Sequence, residues 1–457
     1  MLAKIFPIKL QLKILQLEGY ELVGFLKWIF KNFFVRSVNN KKNLVPTSKL
    51  KLIIFLSIIF WVGSFLATWA LTKNLLLSLV IQFLLTTQSY IFLVSSVVVL
   101  IPIQFLYIHH LIRRTRKKIL SLKELKVIAI TGSYGKSSTK EILYQLIKDK
   151  YKVLRTPESY NTILGISKVV DYELDDSYDF FVCEMAAYHE GDIKQLCYMI
   201  PPTFGILTGI TEQHLEKFGS LRNIIKTKFE LYNEIKNKDN IIFNLDDHNI
   251  FDEKGRRKIK NASDYLEATN ILFSENGSQF EIISGNKKSA LITKLFGYAN
   301  IKNILGASSI ALKLGLDFDL LTKGIKKLEP FPNRFKLTKY GKTIFIDNTF
   351  SSNIASFEEM LETAKSVQGK KVLVTPGLVE LGRETAKIHQ RLGKESIGIF
   401  DKIILVGKNN RTKSFATGVK EKTLFIRDSR ADYKNTIEKL KDKYDWVFLE
   451  NDVTENY

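Results

Sequence analysis

The chain has 457 residues, is 45% hydrophobic and 25% charged, and carries a formal net charge of +21. That length allows about three domains, and its two cysteines, Cys183 and Cys197, supply neither a disulfide framework nor a four-cysteine zinc site. The charge is uneven: residues 1–118 hold 16 Lys/Arg against only Glu18 and Glu21, next to an apolar block, so anionic lipid headgroups explain the basicity better than nucleic acid does.

Leu15, Leu22, Leu26, Ile29 and Phe33 share one helical face, with Lys27 and Lys31 beside it. Residues 1–50 therefore read as an amphipathic cytoplasmic segment that lies in the headgroup plane or packs on the apolar block. From 52 to 112 the only formally charged residue is Lys73. The stretches 52–72 and 74–112 are each long enough to cross a hydrocarbon core of about 30 Å, which predicts a transmembrane hairpin of two spans over 51–112. Thr86, Thr87, Gln88 and Ser89 make the start of the second stretch read as an interfacial or loop segment, with the span itself at 91–107. Lys41, Lys42, Lys49 and Lys51 precede the block, and Arg113, Arg114, Arg116, Lys117 and Lys118 lie just after it. The positive-inside rule then places both flanks in the cytoplasm and the protein in the cell inner membrane, with membrane lipids as partners. A block that starts some fifty residues in, with no small-residue cleavage pattern, does not read as a signal peptide.

After the block, the apolar run 127–130 leads into Thr131-Gly132-Ser133-Tyr134-Gly135-Lys136-Ser137-Ser138, succeeded by Ile142, Leu143, Leu146 and Ile147 at helical spacing. This is a strand, a short GxxGK[ST] phosphate loop and a helix. Gly132 and Gly135 let the amides of Ser133 through Ser138 approach phosphate oxygens, Lys136 adds a point charge, and Ser137 is placed for Mg²⁺. Further strands are predicted at Phe180–Glu184, 204–208 and 241–244. A second series occupies 343–347, Lys371–Thr375, Lys402–Val406, Thr423–Ile426 and 446–449. The alternation with amphipathic segments implies parallel α/β sheets. Pro330 and Pro332 mark a boundary at about 331. The expected organisation is thus a P-loop-type ATPase domain over 119–330 and a Rossmann-like domain over 331–457. Glu184 ends an apolar strand beside the phosphate loop, where a metal-binding carboxylate is expected. The remaining histidines, His109, His110, His189, His248 and His389, carry no functional expectation.

Seven stretches in order, TGSYGKSSTKE, TPESYNT, VCEMAAYHEGDI, HLEKFGS to KTKFE, GYANIKN, PNRF with IDNTFSSN, and VTPGLVELG, resemble the Mur ligase family from 127 to the end. The resemblance implies an ATP-dependent ligase of peptidoglycan precursor synthesis that joins a dipeptide amine to a muramoyl-peptide carboxylate through an acyl phosphate. It implies ATP and two Mg²⁺ ions as cofactors. Lys136 and Ser137 would hold phosphates and the first metal with Glu184, and His214 the second metal. Lys228 would be carbamylated and support that metal. Asn161 would contact substrate, Asn300 and Asn303 adenine, Arg334 the phosphates, and Asp347 the ribose. The chain departs from the family at Ala299, where a histidine is usual, and at Asn348 and Phe350, where a second acid and a tyrosine are. The family's uridine-binding N-terminal domain has no counterpart, its place being taken by the membrane block. A lipid-linked or other wall-polymer acceptor and a membrane-anchored nucleotide-binding scaffold are the alternative readings. Small-molecule precursors, no nucleic acid and a monomeric state complete the expectation.

Overall fold

A computed structural model describes residues 8–32, 44–213, 215–259, 263–264, 266–350, 352–419, 423–426 and 430–451. Phe33, Lys41, Lys42 and His214, named above from the sequence, lie outside them. The chain divides into two compact units, one up to His110 and one from Leu111 onward.

In the first unit, Ser48–Thr72 is a 25-residue helix. Thr47 caps its start by accepting from the Leu50 amide, and Lys73 ends it in the left-handed region at φ 50. Asn74 caps the next helix, Leu75–Thr87, by accepting from the Leu77 amide. That helix replaces the predicted interfacial or loop stretch. Its 13 residues rise only about 20 Å, short of a hydrocarbon core. The chain breaks at Gln88 and Ser89 and continues as Tyr90–Ser121, so the polar run seen in the sequence marks an interruption inside one return arm. Polar pairs join the arms at successive levels: Thr72 with Ser78, Ser64 with Gln82, Trp61 with Thr86, Ser57 with Ser96 and Lys49 with Gln104. Hydroxyl and amide bonds of this kind hold the two largely apolar arms in register.

The helices Ile8–Leu17 and Leu22–Lys31 pack on this hairpin through Leu12, Leu15, Phe25 and Ile29 against Leu50, Ile53, Leu93 and Val97. The amphipathic faces are thus covered by the apolar helices Ser48–Thr72 and Tyr90–Ser121. The outer surface stays apolar, with Phe55, Ile58, Val62, Leu66, Phe83, Val99 and Phe105 exposed. Two helices, Ser48–Thr72 and Tyr90–Ser121, are long and apolar enough to cross a membrane, with 11% and 28% of their most apolar windows buried.

The second unit begins with the last turns of the Tyr90–Ser121 helix. Leu111, Ile112, Thr115 and Ile119 are buried. Arg114 pairs with Asp171, the Arg116 guanidinium lies 4.3 Å from the Tyr198 ring centroid, and Lys118 Nζ donates to the Val170 carbonyl at 2.6 Å. Three of the cations that the sequence pattern assigned to lipid headgroups are therefore held by protein. Arg113 and Lys117 remain exposed. The Arg114 pair is more than half exposed on the arginine side and is worth at most about 1 kcal/mol. Burying a leucine or isoleucine contributes about 1.5–3 kcal/mol, so the apolar face holds this segment.

The central sheet runs β2-β3-β1-β4-β5-β6 and all its pairs are parallel. Its strands are β1 (Lys126–Thr131), β2 (Val153–Arg155), β3 (Phe180–Glu184), β4 (Phe204–Leu207), β5 (Ile241–Phe243) and β6 (Ser263–Asp264). Helices Lys136–Ile147 and Tyr298–Lys313 share its core through Ile142, Leu143, Ile301 and Ile304. Next comes an antiparallel sheet of β7 (Glu267–Ser274), β8 (Gly277–Ser284) and β9 (Lys287–Thr293), which the sequence pattern did not predict. The last sheet contains β10 (Lys336–Tyr340), β11 (Thr343–Asn348), β12 (Lys371–Thr375), β13 (Lys402–Val406), β14 (Thr423–Ile426) and β15 (Trp446–Glu450) in the order β10-β11-β15-β12-β13-β14. Only β10, unforeseen in KLTKY, runs antiparallel.

Candidate active site

Ligands of open α/β sheets bind beyond the carboxyl ends of the strands. Here β1 lies between β3 and β4, so the loop after β1 meets Glu184 on one side and Thr208-Gly209 on the other. Gly132 (φ 154) has no room for a side chain, since a Cβ would sit 2.1 Å from Thr208 Oγ1. Gly209 is equally constrained, because the Tyr134 ring covers it at 2.2 Å from a built Cβ. Tyr134 donates its hydroxyl to Asp247 Oδ2 at 2.8 Å, and that carboxylate also accepts from the Ile210 amide at 2.9 Å. The loop is thereby clamped from its middle.

A cavity of about 430 Å³ opens over the loop. Among the residues expected to act, Ser133, Gly135, Lys136, Ser137, Ser138, Asn161, Glu184, Asn300, Asn303 and Arg334 line it. Gly132 and Asp347 do not: Gly132 underlies the loop, and Asp347 turns its carboxylate onto Thr349, accepting from the Thr349 hydroxyl at 2.7 Å. Lys228 lines a smaller adjoining space with Ser133, Lys136 and Tyr188.

Lys136 opens the helix and curls back, donating from Nζ to the Gly132 carbonyl at 2.8 Å and the Ser133 carbonyl at 3.1 Å. Burial pushes its pKa down, Glu184 opposes that, and Arg334 adds to it. Glu184 is buried, and burial alone would raise its pKa. Lys136 and Lys140, with hydrogen bonds from Ser137 and Asn161, hold it below the usual carboxylate range. Its Oε1 accepts from Asn161 Nδ2 at 2.9 Å. Its Oε2 is buried with no hydrogen-bond partner and faces Lys140 Nζ only at 3.6 Å. One ionised carboxylate with a spare buried oxygen, beside the Ser137 hydroxyl and a phosphate loop, suits Mg²⁺, which takes one or two protein oxygens and completes its shell with water and substrate phosphate.

Lys140 is the residue sequence reasoning missed. It is fully buried one turn beyond Lys136, and donates to the Glu158 carbonyl at 2.8 Å. The i, i+4 spacing from Lys136 was the available signal, since it puts both amines on one helix face.

Lys228 ends the Leu221–Lys228 helix and is buried. Burial, reinforced by Lys136, lowers its pKa to about 7, against the pull of Asp192, Glu230 and Glu184. The Asp192 and Glu230 carboxylates already accept backbone amides, from Tyr188 and His189 in one case and Gly191 and Lys194 in the other.

Arg334 comes from the linker to the last sheet, between two residues in the left-handed region, Asn333 (φ 58) and Phe335 (φ 51). A bulky residue such as phenylalanine is an outlier there. Phe335 is held by burial against Gly297, whose φ of 93 only glycine adopts readily. The Arg334 guanidinium stacks on the Phe350 ring at 4.2 Å. The two asparagines bond within the protein: Asn300 donates to the Phe296 carbonyl at 3.0 Å, and Asn303 accepts from the Thr139 hydroxyl at 3.2 Å. Lys302 joins Glu359 at 3.1 Å, tying the helix Tyr298–Lys313 to Ile354–Ser366 of the last domain.

A phosphate loop at the switch of a parallel sheet, with an arginine brought in from the linker to the last sheet, is an arrangement suited to holding the phosphates of a nucleotide. Residues 130–311 match the Mur ligase middle domain. Over 307 residues it is 28% identical to the UDP-N-acetylmuramoyl-tripeptide–D-alanyl-D-alanine ligase of Escherichia coli K12, covering 65% of this chain and 68% of that one. The chain spans about two thirds of the length of the curated relatives it matches. A MurF crystal structure from Acinetobacter baumannii shares the fold with a TM-score of 0.67 at 24% identity, covering 75% of this chain and 76% of that one. MurF ligase from Thermotoga maritima in complex with ADP does so with 0.68 at 23%, covering 76% and 81%.

Proposed function

We propose that the protein is an ATP-dependent amide ligase of peptidoglycan precursor synthesis that adds D-alanyl-D-alanine to the peptide carboxylate of a muramoyl precursor. The observation that carries this reading is the convergence of Lys136, Glu184, Arg334 and Lys228 on one cavity and its annex, in a chain whose curated relatives are named for that reaction. A carboxylate oxygen of the acceptor attacks the γ-phosphorus of ATP and ADP leaves. The dipeptide amine then attacks the acyl carbon of the acyl phosphate, phosphate leaves, and the amine's proton passes to solvent or phosphate. Lys136 and Arg334 spread the charge of the transferring group, Asn161 and Lys140 keep Glu184 oriented, and domain closure brings amine and acyl carbon together. Mg²⁺ held by Ser137 and Glu184, and a second ion near His214 and a carbamate on Lys228, would supply further charge neutralisation. A scaffold that binds nucleotide without ligating has no use for a buried lysine beside the phosphate loop whose pKa is lowered to about 7.

The purified full-length protein is expected to release ADP only when both a muramoyl-peptide acceptor and D-alanyl-D-alanine are present. ADP release indifferent to the dipeptide, across a panel of dipeptides and acceptors, would overturn the assignment.

The exposed apolar surface of the Ser48–Thr72 and Tyr90–Ser121 helices favours a second element of the reading, that the hairpin spans the cytoplasmic membrane and the acceptor is lipid-linked. Confinement to one surface raises effective concentration without any new contact. Membrane-impermeant labelling of intact cells is expected to reach a cysteine at Lys73 and to miss one at Lys117. Labelling at Lys117 would place ATP chemistry outside the cell and end the two-span model.

A further inference from the structure

We propose that Glu450 is a positioning residue of this nucleotide pocket, its carboxylate fixing Asn348 and Ser352 and, through them, the stretch that lays Phe350 on Arg334. The inference rests on reading the cavity as the ATP site and adds a residue that no motif marks. Glu450 ends β15 and is the register partner of Asn348 at the end of β11. It is fully buried. Its Oε2 accepts from Asn348 Nδ2 at 2.7 Å and its Oε1 from the Ser352 hydroxyl. The next residue continues the clamp: the Asn451 amide donates to the Asn348 carbonyl at 3.1 Å, and Asn451 Nδ2 donates to the Gly377 carbonyl at 2.7 Å. Between Asn348 and Ser352, the Phe350 amide donates to the Asn333 carbonyl at 3.0 Å, beside Arg334. Asn348 and Phe350 both line the cavity; Glu450 does not.

A buried carboxylate with two neutral donors is an expensive way to fill space. Burial drives its pKa up to about 8, with the Ser352 and Asn348 hydrogen bonds opposing that only in part. An apolar side chain of similar size would be cheaper for the fold. What it would lose is the directional hold on Asn348 and Ser352. The amide at 348 is matched to the acid: its Nδ2 can only donate to Glu450, whereas aspartate there would set a second acidic group at hydrogen-bond distance, and the two could not both ionise.

The test uses full-length protein carrying Glu450→Leu, Asn348→Asp, or Asn348→Asp with Glu450→Gln, with ADP affinity by calorimetry, KM for ATP, kcat and melting temperature as readouts. Glu450→Leu should keep the melting temperature while weakening ADP and raising KM for ATP about tenfold, more than it changes kcat. Asn348→Asp should weaken ADP by a similar factor, and the double variant, which exchanges acid and amide, should recover most of it. Wild-type ADP affinity in Glu450→Leu, or no recovery in the exchange, would overturn the proposal. Wild-type protein that binds ADP but does not ligate would defeat the proposed reaction and leave this inference standing. Failure of the wild type to bind ADP would end both.

Discussion

Lys136→Ala lowers ATP-dependent ligation by at least about 10²- to 10³-fold, the usual loss when one preorganised charge-stabilising donor is removed. In the free protein the Lys136 amine rests on the Gly132 and Ser133 carbonyls. These are weak neutral acceptors, so a phosphate oxygen competes for the amine with little reorganisation. The fold should survive, because Lys136 is the first residue of its helix, alanine is the best helix former, and the substitution removes a charge that burial already disfavours. Steady-state ADP release, read beside circular dichroism and melting temperature, checks both halves. Turnover within about tenfold of wild type would take Lys136 out of the site, given the size of effect expected of it.

Lys228→Ala removes activity almost as completely, and millimolar acetate or formate restores part of it. Attack on CO₂ requires a neutral amine. The Lys228 pKa, lowered by burial to about 7, leaves a large neutral fraction at physiological pH, where an ordinary lysine has almost none. As pH falls below 7 the amine protonates, and a carbamate formed on it would be lost. Depleting CO₂ and bicarbonate should therefore cost more activity at pH 6 than at pH 8. The alanine variant leaves a small cavity that a short carboxylate fits, with its charge where the carbamate would be. Wild-type activity in the unrescued variant, or insensitivity of the native enzyme to CO₂ removal at both pH values, would exclude the role.

The sequence was most legible where burial is complete. Phe180–Glu184, Lys371–Thr375 and Lys402–Val406 were read to the residue because a short continuous apolar run between turns fits little besides a buried strand. The antiparallel sheet was not seen, since Glu267–Ser274 is largely exposed and its alternation is weak. Val153–Arg155 is three residues long and offers no period at all. At the site, the phosphate loop is contiguous and could be read directly, whereas the partners that hold it are remote: Asp247 lies 113 residues from Tyr134, and Glu450 lies 102 from Asn348. Single-chain patterns carry no signal for such pairs. The cations after the apolar block were legible only as a cluster. Their clustering is what a headgroup-facing segment also shows, and only packing separates Arg114, Arg116 and Lys118 from Arg113 and Lys117.

The helix Tyr90–Ser121 belongs to both units, and this decides where the chain can be cut to yield a water-soluble enzyme. A start at Lys126, just where the first strand begins, would discard Leu111, Ile112 and Ile119 and expose the surface they cover. At about 1.5–3 kcal/mol for each buried side chain, the loss approaches the whole stability of an ordinary domain. Soluble protein should therefore be sought from chains that begin at or just before Leu111, and fragments trimmed to the motif boundary should aggregate.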